Sequence, residues 1–127
     1  HILMESIKNS YNLYLEIINE IIGFGVFTNS KLNIGDVVET CYCLPFHPKD
    51  TQYSNFLYTT NSDEDFLALG FGSIYNHSET PNIKWNIVSV KYRIINFIAI
   101  RDIEIGEELT HNYGKKWWNK RNELKLV

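Results

Sequence analysis

Apolar residues recur along this chain in short runs that glycine, proline and polar turns interrupt. The runs at 14–22 and 37–44 are rich in β-branched and aromatic residues and predict strands, the second of which Pro45 and Pro48 should stop. Strict alternation over 83–87 predicts a half-buried strand, and 92–100 predicts its hairpin partner. The pattern therefore indicates a mostly β chain with short strands and tight turns.

The length of the chain and its remaining segments indicate a single domain with one insert. A length of 127 residues suits a single hydrophobic core. We interpret residues 1–4 as a cloning remnant plus the start of the chain, and 5–127 as one domain. The polar, acidic stretch 51–65 is expected to be a variable insert that carries a short strand at 56–58.

Two segments, 34–39 and 105–110, share a pattern in which a glycine turn precedes a strand. We interpret the likeness as shared turn chemistry and not as a structural repeat. Elsewhere in the chain, Gly23 and Gly25 bracket Phe24. This spacing is compatible with a plain β-turn or with backbone that a ligand approaches closely.

Charge and cysteine content exclude several classes of protein. The net charge of -3 argues against a dedicated nucleic-acid binder and suits a basic peptide partner. No apolar run is long enough to span a bilayer, and no signal peptide is evident.

Cys41 and Cys43 should share one strand face as half-buried thiols in a reducing compartment, since that spacing disfavours a disulfide. Two cysteines cannot form a four-cysteine zinc site, and no metal is expected.

Three motifs occur in a specific order. They are Gly23–Phe27, then Gly70–Ser78 with Pro81–Asn82 just after it, then Gly106–Gly114. Together they resemble the signature of SET-domain protein lysine methyltransferases, most of all the compact, metal-free members of large DNA viruses. The resemblance implies several small antiparallel sheets with a C-terminal pseudoknot, β-clip-like, and no flanking pre-SET or zinc post-SET segments.

The resemblance also implies the chemistry, which is methyl transfer from S-adenosylmethionine to a lysine amine. Tyr113 matches the catalytic tyrosine of the family. The residues that match its cofactor-binding positions are Gly23, Phe24, Gly25, Asn76, His77, Tyr113 and Trp118. The residues expected to line the substrate channel are Phe56, Tyr58, His111 and Trp117.

Several of these positions have alternatives that the sequence leaves open. Adjacent Trp117 and Trp118 are compatible with an adenine cover or with a hydrophobic plug. His111 stands where many members have Phe or Tyr, and it either lines the channel and titrates near neutral pH or lies on the surface. Phe56 stands where a tyrosine hydroxyl is expected, and Glu108 is expected to support the knot.

The implied partner is a histone H3 tail, bound as an added strand with its lysine in an Ala-Arg-Lys-Ser context. A homodimer is expected, with no nucleic-acid or membrane partner. The expected location is intracellular: the host nucleus or virion if the protein is viral, and otherwise the cytoplasm or nucleus. Three alternatives remain: a silent peptide-binding SET module, a methyltransferase for a non-histone protein, and a metal enzyme using His47, His77 and His111. The number of methyl groups added stays open.

Overall fold

The computed structural model describes residues 11–46, 56–60 and 64–114, and strands make up most of these ranges. In chain order the strands are β1 (Leu13–Asn19), β2 (Gly23–Thr28), β3 (Val37–Phe46), β4 (Leu57–Thr59), β5 (Asp65–Ala68), β6 (Asn76–His77), β7 (Ile83–Ser89), β8 (Ile94–Ala99) and β9 (Glu108–His111). Within the same ranges, no helix is both long and apolar enough to cross a membrane.

The strands form two sheets, in the orders β1-β2-β9-β6 and β4-β5-β3-β8-β7. All neighbours are antiparallel except β6 and β9, which are parallel. Both sheets contribute to one buried cluster, with Val26 and Leu109 from the first and Phe66, Ile95 and Phe97 from the second. The expected mostly β architecture of several antiparallel sheets is confirmed.

The first hairpin differs from the prediction. β1 ends at Asn19, whose side-chain oxygen accepts the N–H groups of Ile21 and Ile22 at 2.9 and 2.7 Å. This local bonding favours a turn over continued strand, and it leaves Ile21 96% exposed. The turn therefore precedes Gly23, and the motif that begins there lies inside β2.

Pro45 does not stop β3, which continues to Phe46. Cys43 donates its N–H to the oxygen of Arg93 at 2.7 Å, on the side of β3 that faces β8. Residues two apart direct their N–H groups to the same side, so the missing N–H of Pro45 would face that side too. The β3–β8 pairing has ended by then, at Tyr42 and Ile94, so no ladder bond is lost.

The segment around the insert contains more strand structure than predicted. The strand at 57–59 agrees with the expectation, but β5, which begins at the last residue of the predicted insert and continues to Ala68, was not foreseen. It pairs with β3 on one side and β4 on the other. The β7–β8 hairpin confirms the alternating pattern, with every second residue of β7 exposed.

The two glycine turns, 33–36 and 104–107, have the same construction. Gly35 and Gly106 adopt φ of 90° and 87°, which glycine reaches without steric cost. In each turn the carboxylate of the fourth residue accepts the N–H of the first. Asp36 accepts the N–H of Asn33 at 2.8 Å, and Glu107 accepts the N–H of Glu104 at 2.6 Å. The shared turn chemistry is present as predicted.

The same turns are also related structurally, which the sequence interpretation excluded. Gly35 N–H donates to the oxygen of Ala99, and Gly106 N–H donates to the oxygen of Thr28, both at 2.8 Å. An antiparallel bridge joins the segments that precede the two turns. Exchanging one segment for the other reproduces these bonds, so a local pseudo-two-fold relates the β2–β3 connection to the β8–β9 connection.

Asn82 secures β9 between its neighbours. Its side chain is 2% exposed; the amide nitrogen donates to the oxygen of Glu108 at 2.8 Å, and the amide oxygen accepts the N–H of Thr110 at 2.9 Å. Its main-chain N–H donates to the oxygen of Thr110 at 3.1 Å, and its main-chain oxygen accepts the N–H of Ile100 at 2.9 Å. One residue therefore joins β9 to the start of β7 with matched donors and acceptors.

We predict that Asn82→Ala lowers the free energy of unfolding by about 2 kcal/mol or more, because it leaves buried backbone groups of β9 without partners. Urea unfolding followed by fluorescence measures the change. Asn86→Ala, on the exposed face of β7, is the matched control and should alter stability by less than about 0.5 kcal/mol. Equal effects of the two substitutions would contradict the role given to Asn82.

Candidate active site

The parallel pairing of β6 with β9 brings the second and third motifs together. Asn76 lies opposite Thr110, and His77 lies opposite His111. The N–H of Ser78 donates to the oxygen of His111 at 3.1 Å and extends the pairing by one residue. Segments more than thirty residues apart in sequence thereby place their polar side chains at one edge of the first sheet.

Tyr113 follows directly from this edge and is held at both ends. Its N–H donates to Nδ1 of His77 at 2.9 Å, and its hydroxyl donates to the oxygen of Tyr75 at 2.9 Å. Its ring packs 4.8 Å from that of His111. Burial, and secondly the carboxylate of Glu108, raise the pKa of the Tyr113 phenol. The phenol is therefore neutral at physiological pH, and its oxygen still has lone pairs to accept a further hydrogen bond.

The bond from Tyr113 also determines the tautomer of His77. Because Nδ1 accepts a backbone N–H, it carries no proton, and the neutral ring must be protonated at Nε2. Nε2 lies 3.0 Å from Oε1 of Glu79, and this oxygen accepts the hydrogen bond that the Nε2–H group donates. His77 therefore orients the backbone of Tyr113 and is in turn oriented by an exposed carboxylate.

Asn76 ties three strands together. Its amide nitrogen donates to the oxygen of Phe24 at 3.1 Å and to Oε2 of Glu108 at 2.8 Å. These bonds use both amide hydrogens, so the amide can offer only its oxygen to a further partner. The bond to Glu108 agrees with the supporting role expected for that carboxylate.

The two glycines of the first motif serve different purposes. Gly23 has φ of 84°, and an added Cβ would meet no atom within 4 Å, so its backbone is open to approach. An added Cβ at Gly25 would lie 2.6 Å from Oε2 of Glu108 and 2.7 Å from Cδ1 of Ile18. The close approach that requires Gly25 is therefore made by the protein itself. Phe24 between them is 49% exposed.

His111 is buried, with 5% of its surface exposed. Its Nε2 lies 3.4 Å from the hydroxyl of Tyr58, which donates its own proton to the oxygen of Gly72 at 2.5 Å. Because the proton of Tyr58 is engaged by Gly72, the Tyr58 oxygen faces Nε2 as an acceptor. Burial lowers the pKa of His111 to about 4. The expectations of a surface position and of titration near neutral pH are both wrong.

The other expected channel residues are placed differently from one another. Tyr58 is a core residue whose ring lies 5.0 Å from that of Trp85 and 5.7 Å from that of Phe97. Phe56 is half exposed, and its oxygen accepts the hydroxyl of Ser73 at 3.3 Å. The remaining candidates lie outside the described residues, and these are Trp117, Trp118 and His47.

Glu39 and Tyr75 were not recognised from the sequence as part of this region. Glu39 is 6% exposed, and it accepts the hydroxyl of Tyr75 at 2.7 Å and the N–H of Phe71 at 3.0 Å. Burial raises the pKa of its carboxyl group, against the effect of those hydrogen bonds. The available signal was an acidic residue directly after Val38 in a predicted strand that is otherwise largely apolar.

Metal-binding and redox features add little to the site. In the described ranges, no three His, Cys, Asp or Glu side chains are grouped as metal ligands would be. Cys41 and Cys43 are free and share the inner face of β3, as predicted, but they are fully buried instead of half-buried. Burial raises the pKa of Cys43 to about 12, so this thiol stays protonated and unreactive.

The motif order and this geometry agree with comparisons to known proteins. The profile of the SET domain matches residues 23–114, which include all three motifs. The chain belongs to the SET domain family. A relative from Schizosaccharomyces pombe is named a histone-lysine N-methyltransferase, H3 lysine-37 specific, and is 29% identical over 103 residues, which span 76% of this chain and 69% of the relative. This SET domain is thus homologous to a histone-lysine methyltransferase.

A solved structure supports the fold. The crystal structure of a Plasmodium falciparum protein, provisionally named a histone methyltransferase, aligns with a TM-score of 0.75 and 24% identity. The alignment covers 86% of this chain and 98% of the parasite chain. Neither relative is viral, so the special likeness to compact viral members stays a prediction.

The buried His111 predicts a specific pH dependence of stability. Its pKa is about 4 in the folded state against 6.5 ordinarily, so the unfolded chain takes up this proton first as the pH falls. Stability should therefore decrease on acidification through this window, by roughly 2 kcal/mol between pH 7 and pH 5 from this group alone.

Urea unfolding of the wild type and of His111→Gln at both pH values isolates the contribution, since other groups titrate alike in the two proteins. The variant should lose distinctly less stability on going from pH 7 to pH 5. The same loss in both proteins would show that His111 is not held neutral by burial.

Proposed function

We propose that this SET domain is an S-adenosylmethionine-dependent protein lysine N-methyltransferase that acts on a histone H3 tail. The observation that carries the proposal is the setting of Tyr113. Its phenol is neutral, donates to the oxygen of Tyr75 and lies at the edge where Asn76 and His77 meet β9. Homology to a histone-lysine methyltransferase supports the choice of substrate class.

The residues at this edge fit the proposed cofactor. S-adenosylmethionine carries an ammonium and a sulfonium, and it supplies an electrophilic methyl group. The carboxylate of Glu108 and the amide oxygen of Asn76 are acceptors suited to cationic groups. The open backbone at Gly23 and the exposed ring of Phe24 provide a close approach and an apolar contact beside them.

The residues of the site orient the reacting amine instead of deprotonating it. A neutral phenol is a poor base, because only the phenolate could take up the proton of the amine and the raised pKa of Tyr113 leaves almost no phenolate at neutral pH. Its donor is already directed at Tyr75, so the oxygen of Tyr113 remains to accept from the amine. Burial and a neighbouring positive charge both lower the pKa of a lysine, which removes the need for a dedicated base. Alignment is then the main contribution of the protein.

The proposed substrate follows from the net charge of the protein, and the proposed path of its lysine follows from the expected channel residues. A net charge of -3 suits a lysine- and arginine-rich tail. We propose that the target lysine reaches Tyr113 between Phe56 and the Tyr58–His111 pair, with Trp117 as a further wall, and that the protein acts as a homodimer. The lysine methylated and the Ala-Arg-Lys-Ser context remain predictions.

Removing the phenol tests the catalytic assignment. We predict that Tyr113→Phe lowers kcat at least about tenfold, which corresponds to roughly 1.4 kcal/mol of barrier, because the amine loses its acceptor. Affinity for S-adenosylmethionine, measured by calorimetry, should change much less. Tyr92→Phe removes a phenol from an exposed turn and should behave as the wild type. Unaltered turnover in Tyr113→Phe would remove this residue from the catalytic role.

Cofactor binding provides a second, separate test. We predict that Asn76→Ala weakens S-adenosylmethionine binding about tenfold, since it removes an acceptor and releases Phe24 and Glu108. Calorimetry measures the affinity, and Asn86→Ala is the matched control. Methyl transfer from labelled cofactor to core histones and their peptides tests the activity itself. Tight cofactor binding without transfer to any histone would favour a non-histone substrate or a silent module.

A further inference from the structure

Glu39 lies outside the three motifs, yet its hydrogen bonds lead to the proposed catalytic tyrosine. Oε1 accepts the hydroxyl of Tyr75 at 2.7 Å, and the main-chain oxygen of Tyr75 accepts the hydroxyl of Tyr113 at 2.9 Å. We propose that Glu39 is a positioning residue: it acts through Tyr75 to orient the phenol of Tyr113. This inference rests on the proposed function, since it assigns Glu39 to the same site.

The carboxylate is itself firmly held. Its second oxygen accepts the N–H of Phe71 at 3.0 Å. Gly70 before it has φ of 68°, and a Cβ there would collide with that same oxygen. The chain thus wraps the carboxylate closely at Gly70 and Phe71, which joins β3 to the segment that leads into Tyr75.

Tyr75 transmits this constraint because it has little freedom. It is 1% exposed, and its ring centre lies 4.6 Å from that of Phe97. Glu39 holds the hydroxyl end of the side chain, and the main-chain oxygen at the other end receives Tyr113. Fixing the phenol ring of Tyr75 therefore fixes the carbonyl that directs the phenol of Tyr113.

The expected consequence is kinetic. A reacting group that is displaced by a fraction of an ångström loses much of its effect, because methyl transfer depends on alignment. Loss of the Glu39–Tyr75 bond frees the carbonyl and lets the Tyr113 hydroxyl turn. Glu39 also lines a cavity of about 560 Å³, together with Tyr11 and Leu69, so a substituted side chain has room and access to water. The altered protein is thus expected to fold.

The first test uses the dependence on Tyr113. Tyr75→Phe and Glu39→Gln should each lower kcat about tenfold in the wild-type background, with little change in affinity for S-adenosylmethionine. In a Tyr113→Phe background, the same substitutions should lower kcat less than about twofold, because the group they position is already gone. Tyr92→Phe is the control in both backgrounds. Equal losses in both backgrounds would mean a merely structural role and would overturn the proposal.

The second test does not require activity. The hydroxyl-bearing ring carbon of Tyr113, labelled with ¹³C and assigned with Tyr113→Phe, reports the hydrogen bond of its phenol. Glu39→Gln should shift this resonance, and Tyr92→Phe should not. If the wild type transfers no methyl group but the resonance shifts, the proposed function fails and the positioning role stands. An unchanged resonance in Glu39→Gln would overturn the positioning role, whatever the activity.

Discussion

The site depends on how β9 is held. Its first half pairs with β2, its second half pairs in parallel with β6, and the buried amide of Asn82 bonds to it between these points. A two-residue parallel pairing is too short to be stable alone, since neither strand gains enough from it to offset the cost of ordering. Asn82 stabilises β9 in place, and β6 can then add to an edge that already exists.

The chemistry at this edge comes from neutral groups with determined hydrogen-bond roles. Tyr113 is a donor to one carbonyl, His77 is an acceptor at Nδ1, and His111 is a buried neutral imidazole. Such groups cost less to desolvate than charges do, and they need not reorganise during a reaction. Two acidic side chains support this arrangement from behind. Glu39 accepts a hydrogen bond from Tyr75, and Glu108 accepts one from Asn76.

Much of the fold and part of the site were predictable from the sequence. Period-two patterning predicted β7, since one of its faces is buried and the other is exposed, and a more continuous apolar run predicted its partner β8. The resemblance to SET methyltransferases implied that the segments of Asn76, His77 and Tyr113 meet. The pattern failed where tertiary context decides: β5 is only four residues long, too short to show a period, but gains two strand neighbours, and Pro45 is tolerated because the β3–β8 pairing has ended before it. Periodicity describes a face and carries no information on the neighbours along an edge.

The same limit explains why Glu39 was overlooked and what its burial means. An acidic residue inside an apolar strand costs free energy that only specific partners offset, and those partners, Phe71 and Tyr75, lie thirty or more residues away in sequence. No local pattern can indicate them. Conversely, once the fold brings these partners together, the cost makes the arrangement specific: the carboxylate tolerates this one packing of the Gly70–Tyr75 segment better than any that leaves it unpaired. The carbonyl of Tyr75 then has one direction, and the hydroxyl of Tyr113 follows it.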